Sequence, residues 1–502
     1  MNWENTSLRQ IIDNHILSDN FVGGFEDESG GEKFVDAKKK IDDFVEQLHE
    51  LGLPYGSIVA VSLRKCRSIP YLFLALDELG LVYAPISEPQ LDDNSARSQV
   101  SVCNPRLVIC EPQMAPFFRE TVNSRLAILK AGSFTLDVTD ELSDRAEFQE
   151  LAGYCYLNYT SGSTGAPKAA ATTRQNLVSN TLSVLAAMPL SKDDRFLCFF
   201  PSQLHPHESF MRPLFAGATT ILAGAKPVEA VLKIREFKPT FLMMNPTLAY
   251  LLARKLATGN GHELKNTIIE LGGAPTPSKT WRTLMEMGAT PKSVWGSTET
   301  SGVVFVNSSG AGSAETVGLG SVVDGYEWRI VNESGVPTKE GTLELSGPAV
   351  TDGYFNNPQA NAEAYVDGWY RTGDVVRFDS PNEFVYVGRS DYSFKVSGMK
   401  VHPLEIESEV CGLEQIEDAV AGPVRINGMT EPVIGCIFVS SAEVEETLIR
   451  NHLVKRLGPT LTPSVFLAVS SMPKQNSGKI DRSQALKQLR EHFLEGPHAD
   501  LG

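Results

Sequence analysis

The sequence contains little that would cross-link the chain or anchor it in a membrane. Its seven cysteines are odd in number, scattered, and without a Cys-x-x-Cys pair. That pattern argues against a disulfide framework or a zinc-finger site and indicates reduced thiols. No apolar run approaches the roughly 20 residues of a membrane-spanning helix, and the N-terminus lacks the basic and apolar segments of a secretory signal. We therefore expect a cytoplasmic protein without a membrane partner.

Positive charge is also scarce. The chain has 45 Lys and Arg against 61 Asp and Glu, a formal net charge of −16. Binding to nucleic acid or to anionic lipid needs a basic face, so this balance argues against both partners. The 502 residues, 42% of them hydrophobic, are typical of a globular enzyme that is too long for a single core. Two or more domains are expected.

The segment Tyr159–Lys168 has the composition of a phosphate-binding loop. Its two glycines let the backbone approach an anion closely, its hydroxyls add hydrogen-bond donors, and its lysine adds a positive charge. The spacing differs from that of a P-loop, which has four residues between the glycines and Lys-Ser/Thr directly after the second. The residues expected to contact phosphate are Thr160, Ser161, Gly162, Ser163, Thr164, Gly165 and Lys168.

More motifs follow this loop in a fixed order. They are Trp295–Thr300, Tyr370–Asp374, Gly388–Asp391, Lys395–Glu407 and Pro473–Arg482. The whole series resembles the adenylate-forming superfamily, which comprises acyl-CoA synthetases, adenylation domains of nonribosomal peptide synthetases, and luciferases. The resemblance covers nearly the entire chain, from residues 79–85 to residue 482.

The distribution of apolar residues predicts an α/β fold. Helical spacing over 37–52 is followed by a short apolar strand over 57–63, a helix over 71–79 and a strand over 81–86. This order favours a parallel sheet with helices packed on its faces. Short strands separated by glycines begin near Gly318 and indicate a small β-barrel-like subdomain. A mixed α+β pattern follows Asp391.

The resemblance implies a division into two domains. Residues 1–390 would form a large N-terminal domain that binds ATP and the acid. Residues 391–502 would form a small mobile C-terminal domain that carries a catalytic lysine. No carrier-domain pattern is recognised, so we expect a free-standing enzyme.

The activity implied by the resemblance has two steps. The carboxylate of a small acid attacks the α-phosphorus of ATP, pyrophosphate leaves, and the acyl-AMP then passes its acyl group to a thiol. The thiol belongs to coenzyme A or to the phosphopantetheine of a separate carrier protein. Such chemistry depends on positioning and on charges aimed at developing negative oxygens. Mg²⁺ is expected, because a hard cation that bridges phosphate oxygens needs few protein ligands.

Roles for individual residues follow from the same motifs. Glu299 would help to hold Mg²⁺, and Thr298 would contact the α-phosphate. Asp374 would accept hydrogen bonds from the ribose hydroxyls, as acidic residues do in dinucleotide sites. Trp295, beside Gly296, replaces the Tyr or Phe that usually flanks the adenine or the acyl group, and its ring can still stack.

The later motifs supply the remaining contacts. Arg389 would contact ribose or phosphate. Lys400 stands where many relatives have Arg, which changes a fork-like phosphate contact into a point charge. Lys479 would bridge the attacking carboxylate and the α-phosphate. Asp391 would be the hinge of a rotation that brings residues 396–401 to the active site, with Gly398 leaving room for a pantetheine arm.

The choice of acid is open at the level of sequence. Amino-acid-activating relatives carry an Asp that pairs with the α-ammonium, and the segment Pro201–Phe210 has none. An aryl or acyl acid is therefore favoured, because an unpaired buried cation is costly. The expected pocket residues are His205, His207, Glu208, Phe241, Met243, Gly272, Gly273 and Ala274.

Three alternatives remain beside that interpretation. Glu208 can replace the missing Asp in an enzyme that adenylates an amino acid and loads a carrier protein. An amine can replace the thiol as acceptor, which would give an amide. A relative without catalytic activity is disfavoured by the joint presence of Lys479, Glu299 and Asp374. His205 and His207 are one residue apart within an expected loop, so a zinc site is not predicted there.

Overall fold

A computed structural model describes most of the chain. The described residues are 6–16, 23–89, 93–130, 133–138, 148–160, 167–200, 206–224, 229–257, 262–313, 315–381, 383–396, 399–425, 432–474 and 480–495.

The strands alternate with helices along most of the chain. In order, the strands are β1 (Gly24–Asp27), β2 (Gly30–Lys33), β3 (Ile58–Ser62), β4 (Val82–Pro85), β5 (Leu107–Cys110), β6 (Arg125–Leu129), β7 (Leu136–Val138), β8 (Tyr154–Thr160), β9 (Lys168–Thr173), β10 (Arg195–Cys198), β11 (Thr219–Ile221), β12 (Phe241–Met244), β13 (Ile268–Leu271), β14 (Thr290–Ser297), β15 (Gly302–Asn307), β16 (Ser321–Val322), β17 (Glu327–Val331), β18 (Glu340–Ser346), β19 (Tyr365–Val366), β20 (Trp369–Ser380), β21 (Glu383–Arg389), β22 (Phe394–Val396), β23 (Met399–Val401), β24 (Ile416–Val424), β25 (Val433–Ser440) and β26 (Val465–Val469).

The α-helices are α1 (Leu8–Ile16), α2 (Phe34–Glu50), α3 (Ser68–Glu78), α4 (Asp93–Cys103), α5 (Ala115–Thr121), α6 (Arg174–Ala187), α7 (Pro206–Ala216), α8 (Ala230–Phe237), α9 (Pro246–Ala257), α10 (Ser278–Glu286), α11 (Pro358–Ala364), α12 (Pro403–Cys411), α13 (Glu446–Leu457) and α14 (Arg482–Glu495). Single turns of 3₁₀ helix lie at Pro112–Met114, His262–Leu264, Thr298–Thr300 and Pro459–Leu461.

Two large sheets dominate the part of the chain that the structure describes. One has nine strands in the order β16-β15-β14-β13-β12-β10-β11-β1-β2, and the other has seven in the order β7-β6-β5-β3-β4-β8-β9. The strands inside each sheet pair in parallel. The antiparallel pairs lie at the edges. The predicted α/β fold with parallel sheets is confirmed.

Helices cover both faces of these sheets. Along β3, Val59 and Val61 belong to a core shared with α2, α3, α6 and α7, whereas Ile58 and Ala60 belong to a second core with α4 and α5. Alternate residues of a strand point to opposite faces. A strand that is buried on both faces therefore reads as a continuous apolar run, as this one does.

The later strands form smaller sheets in the described residues. Strands β17, β18, β20, β19 and β21 make an antiparallel sheet, and β22 and β23 make a hairpin. Strands β24, β25 and β26 make a three-stranded sheet, with α12 and α13 packed on one face and α14 on the other. This is the small α+β C-terminal domain beside the large N-terminal one.

Several element boundaries differ from the predicted ones. Helix α7 begins at Pro206, four positions before the apolar run that starts at Phe210, because proline is favourable in the first turn of a helix. The segment that was expected to be a loop around His207 is therefore helical. Helix α3 spans Ser68–Glu78, whereas the apolar spacing predicted a helix over 71–79. The spacing of apolar residues therefore predicts which face of a helix is buried more accurately than it predicts where the helix begins and ends.

Candidate active site

One large cleft gathers most of the predicted functional residues. Its volume is about 3460 Å³, and it lies at the carboxyl ends of β12, β13 and β14, where open parallel sheets bind ligands. The five-stranded antiparallel sheet and the C-terminal domain also border it. The predicted residues that line it are Thr160, Lys168, Glu208, Met243, Gly272, Gly273, Ala274, Trp295, Gly296, Thr298, Glu299, Asp374, Arg389 and Asp391.

For some of the predicted residues the structure gives no position in the cleft. Ser161, Gly162, Ser163, Thr164, Gly165, His205, Gly398 and Lys479 lie outside the described residues. His207 lies in α7. Lys474 and Ile480, which flank the segment that contains Lys479, form an isolated antiparallel bridge and both line the cleft.

Two predicted residues are placed away from the cleft surface. Phe241 is 1% exposed and stacks on Phe196, with ring centroids 5.1 Å apart, so it lies behind the cleft wall to which Met243 contributes. Lys400, on β23, pairs with the exposed Glu333, with Nζ 3.1 Å from Oε1. Neither Phe241 nor Lys400 is among the described residues that border the cleft.

Glu299 is held in a tightly defined turn. The 3₁₀ turn at Thr298–Thr300 is closed by reciprocal hydrogen bonds between Ser297 and Thr300. A bulge between Trp295 and Gly296 interrupts the pairing of β14 with β15 just before it. A Cβ atom on Gly296 would lie 2.1 Å from the carbonyl oxygen of Gly302, so only glycine allows this close approach.

The carboxylate of Glu299 accepts a hydrogen bond from Tyr354, with 2.6 Å between Oη and Oε1. Both residues are buried, with 6% and 7% of their surface exposed. Burial, followed by the neighbouring Glu299 carboxylate, raises the pKa of Tyr354, so its hydroxyl remains a donor. The ammonium of Lys168 lies 5.3 Å from the centroid of the Tyr354 ring. No sequence motif predicted Tyr354.

A second buried carboxylate that lines the cleft is that of Asp374. Tyr386 donates a hydrogen bond of 3.0 Å to its Oδ1, and the indole of Trp295 also interacts with it. Arg389 approaches to 3.6 Å and pairs with Asp391 at 3.1 Å. Burial raises the pKa of Asp374 to about 6, and the Arg389 guanidinium opposes that rise.

Glu208 brings another carboxylate to the cleft. Gly302 has a φ of +127°, and a Cβ atom there would lie 3.0 Å from Glu208 Oε1 and 2.6 Å from Asn180 Oδ1. Asn180 itself donates to the carbonyl of Val303 at 2.8 Å and to the hydroxyl of Tyr326 at 2.9 Å. Glycine at 302 thus leaves room for the side chains of Asn180 and Glu208. Of these two, Glu208 borders the cleft.

A buried ion pair lies behind the part of the cleft wall that Met243 lines. Arg212 Nη1 is 2.8 Å from Glu270 Oε2, and their side chains are 5% and 0% exposed. The guanidinium also lies 5.3 Å from the ring centroid of Phe196 and contacts the sulfur of Met243. Burial lowers the pKa of Arg212, but the Glu270 carboxylate more than offsets this and keeps that pKa above its usual value. A signal for this pair was present, since each charge interrupts an otherwise apolar run.

Other features limit the chemistry of the site. The seven cysteines are free thiols. Among the described residues, no three His, Cys, Asp or Glu side chains are placed to hold a metal ion together. A search of the same residues found no helix with the length and hydropathy needed to span a bilayer.

The sequence of residues 31–355 matches the family described as AMP-binding enzyme. The chain is 28% identical to the anthranilate–CoA ligase of Pseudomonas aeruginosa over 468 residues, which cover 87% of this chain and 88% of that protein. It is also 28% identical to the benzoate–CoA ligase of Thauera aromatica over 461 residues, with 86% of each chain covered.

Solved structures show the same fold. The anthranilate CoA ligase AuaEII in complex with anthranoyl-AMP matches with a TM-score of 0.82 at 18% identity, over 97% of this chain and 98% of that one. The O-succinylbenzoate CoA synthetase of Bacillus subtilis, in complex with ATP and magnesium, matches with a TM-score of 0.79 at 19% identity, over 95% and 98%.

The fold and the family match together define an AMP-forming ligase. The chain belongs to the AMP-binding enzyme family, and its predicted membership of the adenylate-forming superfamily is confirmed.

Proposed function

We propose that this enzyme activates an aromatic or other small carboxylic acid as its acyl-AMP and then transfers the acyl group to the thiol of coenzyme A. The observation that carries the proposal is that one cleft gathers Lys168, Glu299 and Asp374 together with the small or apolar residues Met243, Gly272 and Ala274. The aryl–CoA ligases that the chain resembles over most of its length support this choice of acid and acceptor.

The nucleotide side of the cleft suits ATP. In our proposal Asp374 accepts hydrogen bonds from the ribose hydroxyls, Trp295 flanks the adenine or the acyl group, and Arg389 contacts ribose or phosphate. Thr160, Lys168 and Thr298 contact phosphate oxygens, together with the predicted loop residues 161–165. Each of these described residues lines the cleft, which supports the assignment.

Glu299 fits a role in holding Mg²⁺. It offers a nearly buried carboxylate to the cleft, and oxygen is the donor that Mg²⁺ prefers. Mg²⁺ usually takes only one or two carboxylates, with phosphate oxygens and water completing its coordination, so no cluster of acidic residues is needed. When bound, the ion neutralises negative charge on the phosphates.

We propose that residues 1–390 and 391–502 act as two domains, with Asp391 as the hinge. Lys479 is the candidate that stabilises charge during adenylation, and Lys474 and Ile480 on either side of its segment line the cleft. The hairpin that carries Lys400 instead pairs with Glu333. Rotation about Asp391 would bring that hairpin to the cleft for thiol transfer.

On the acid side, Gly272, Gly273 and Ala274 leave space for a flat group, and Met243 offers apolar contact. We propose that His205, His207 and Glu208 complete this pocket, and that Phe241 supports it from behind. Glu208 is the specific reason to keep amino acids as a second candidate substrate class, because its carboxylate can pair with an ammonium group.

Pyrophosphate exchange against a panel of acids tests this proposal. The panel contains benzoate, amino- and hydroxybenzoates, short alkyl acids and proteinogenic α-amino acids, and a second incubation adds coenzyme A or a phosphopantetheinyl carrier protein. We expect exchange with aryl acids and thioester formation on coenzyme A. For an acid without an ammonium group, Glu208→Gln should leave KM nearly unchanged. Robust exchange with an α-amino acid that is lost in Glu208→Gln would overturn the aryl assignment.

A further inference from the structure

Tyr354 connects two parts of the cleft that are distant in sequence. Its hydroxyl donates a 2.6 Å hydrogen bond to Oε1 of Glu299, and its ring lies 5.3 Å from the ammonium of Lys168. Tyr354 itself borders the cleft. One side chain therefore contacts both a carboxylate proposed to hold Mg²⁺ and a cation proposed to contact phosphate.

The backbone around Tyr354 is fixed on both sides. The amide of Phe355 donates to the carbonyl of Ala169 at 2.7 Å, and the amide of Ala171 donates to the carbonyl of Gly353 at 3.0 Å. The side chain of Asn361 accepts from the amide of Tyr354 at 2.6 Å and donates to its carbonyl at 2.9 Å. The tyrosine is thus bound to β9, the strand that follows the phosphate-binding loop.

The same segment is also bound to the Glu299 turn. The amide of Thr351 donates to the carbonyl of Glu299 at 2.8 Å, so both the main chain and the side chain of Glu299 are held from residues 351–354. A hydrogen bond from a neutral hydroxyl to a carboxylate is strong when it is short and buried. Without it, the carboxylate would be free to adopt other rotamers in the cleft.

We propose that Tyr354 is a positioning residue for the magnesium–triphosphate end of ATP. Its hydroxyl fixes the Glu299 carboxylate through Oε1. The other carboxylate oxygen would remain available to hold the metal ion. Its ring face holds the Lys168 ammonium next to the same region. This inference rests on the proposed role of Glu299 in holding Mg²⁺.

The test is calorimetric titration of ATP into Tyr354→Phe at a series of Mg²⁺ concentrations, without any acid, so that no turnover is needed. The variant keeps the ring and loses the hydroxyl. We expect ATP affinity in EDTA to equal that of the wild type, because the phosphate contacts remain. The Mg²⁺ concentration that gives half of the full affinity gain should rise by about 10- to 100-fold, as for other residues that orient a metal ligand. An unchanged Mg²⁺ dependence would overturn the inference.

Tyr365→Phe is the matched control. That residue lies next to Tyr354, with ring centroids 5.9 Å apart, but its hydroxyl shares a 2.8 Å hydrogen bond with Thr351 instead. The variant loses a neighbouring tyrosine hydroxyl without losing a bond to Glu299, so its Mg²⁺ dependence should match the wild type. An equal loss in both variants would show a merely structural effect and would also overturn the inference.

Glu299→Gln separates this inference from the proposed function. If Glu299→Gln keeps the wild-type Mg²⁺ dependence, the proposed role of Glu299 fails and takes the role of Tyr354 with it. If Glu299→Gln loses that dependence while Tyr354→Phe keeps it, only the inference about Tyr354 fails. If both are correct, the double variant should lose no more Mg²⁺ dependence than Glu299→Gln alone, because the hydroxyl acts through the carboxylate.

Discussion

Two ion pairs show how differently charge is used in the N-terminal domain and at its contact with the C-terminal domain. Arg212 and Glu270 lie 2.8 Å apart behind the part of the cleft wall that Met243 lines, with side chains 5% and 0% exposed. Arg254 of α9 and Glu417 of β24 lie 3.3 Å apart across the domain contact, with side chains 52% and 36% exposed. The first pair is sealed in a core and the second is open to solvent.

The difference in burial implies a difference in strength. Removing one partner of a buried pair leaves an uncompensated charge away from water, which costs several kcal/mol. An exposed pair contributes about 0–1 kcal/mol and is weakened by salt. Nearby, Lys279 donates to the backbone carbonyl of Glu414 at 3.0 Å, and this contact is also exposed. We infer that the cleft wall beside Met243 is built to stay fixed, whereas contacts of this kind would let the C-terminal domain detach at little cost.

The largest expected effect concerns Lys479, which in our proposal the C-terminal domain delivers to the cleft. Lys479→Ala should slow acyl-AMP formation by at least about 10²- to 10³-fold, because a positive group is lost where negative charge develops. Thiolysis of acyl-AMP made beforehand should survive. Pyrophosphate exchange and single-turnover transfer measure the two steps.

Lys474→Ala is the control for that experiment. Lys474 is another lysine of the same region, it lines the cleft, and it interacts with Asp418 of its own domain. Its removal should leave pyrophosphate exchange within a few-fold of wild type. Exchange at the wild-type rate in Lys479→Ala would remove Lys479 from the mechanism.

The next largest effect concerns stability. Arg212→Met should lower the free energy of unfolding of the N-terminal domain by about 3–5 kcal/mol, since Glu270 would be buried without its partner. The double variant Arg212→Met/Glu270→Met should recover most of that loss, because both charges are then gone. Urea denaturation followed by tryptophan fluorescence measures both. A single variant as stable as the wild type would contradict the view that this wall is held by the pair.

The affinity for adenosine is expected to depend on pH. The ribose hydrogen bonds that we propose for Asp374 are strongest when its carboxyl is ionised, and burial raises the pKa of that carboxyl to about 6. Lowering the pH from about 7 to about 5 protonates most of this carboxyl, so affinity should fall roughly tenfold. Adenosine is the probe, because it carries no phosphate that would titrate in the same range. Asp374→Asn should bind adenosine weakly at both pH values, and a pH-independent wild type would contradict the proposed contact.

The sequence predicted what is local and missed what depends on packing. Glu299 and Asp374, which both line the cleft, could be proposed from sequence because each lies in a short motif. The strands could be predicted because burial on both faces makes them apolar throughout. The contact between Tyr354 and Glu299 joins residues 55 positions apart and exists only because residues 351–355 pack against β9. No motif or period encodes such a contact.

The partnership of Arg212 and Glu270 was hidden for a related reason. Each residue is a charge in an apolar run, and that signal predicts a buried partner without saying which one. The partners are 58 positions apart, and the register of α7 against β13 decides the match. Candidate sites can therefore be read from sequence, but the residues that hold them in place come from the tertiary structure.

The smallest expected effect is at the domain contact. Glu417→Gln removes the pair with Arg254 and should change the free energy of unfolding by less than about 1 kcal/mol. If detachment limits thiol transfer, the same variant should change the rate of thioester formation from acyl-AMP by no more than about fivefold, while pyrophosphate exchange stays constant. The difference from wild type should disappear as salt rises, because exposed charges are screened. A loss of stability as large as that of Arg212→Met would show that this contact is as rigid as the core, and the comparison between the two regions would no longer hold.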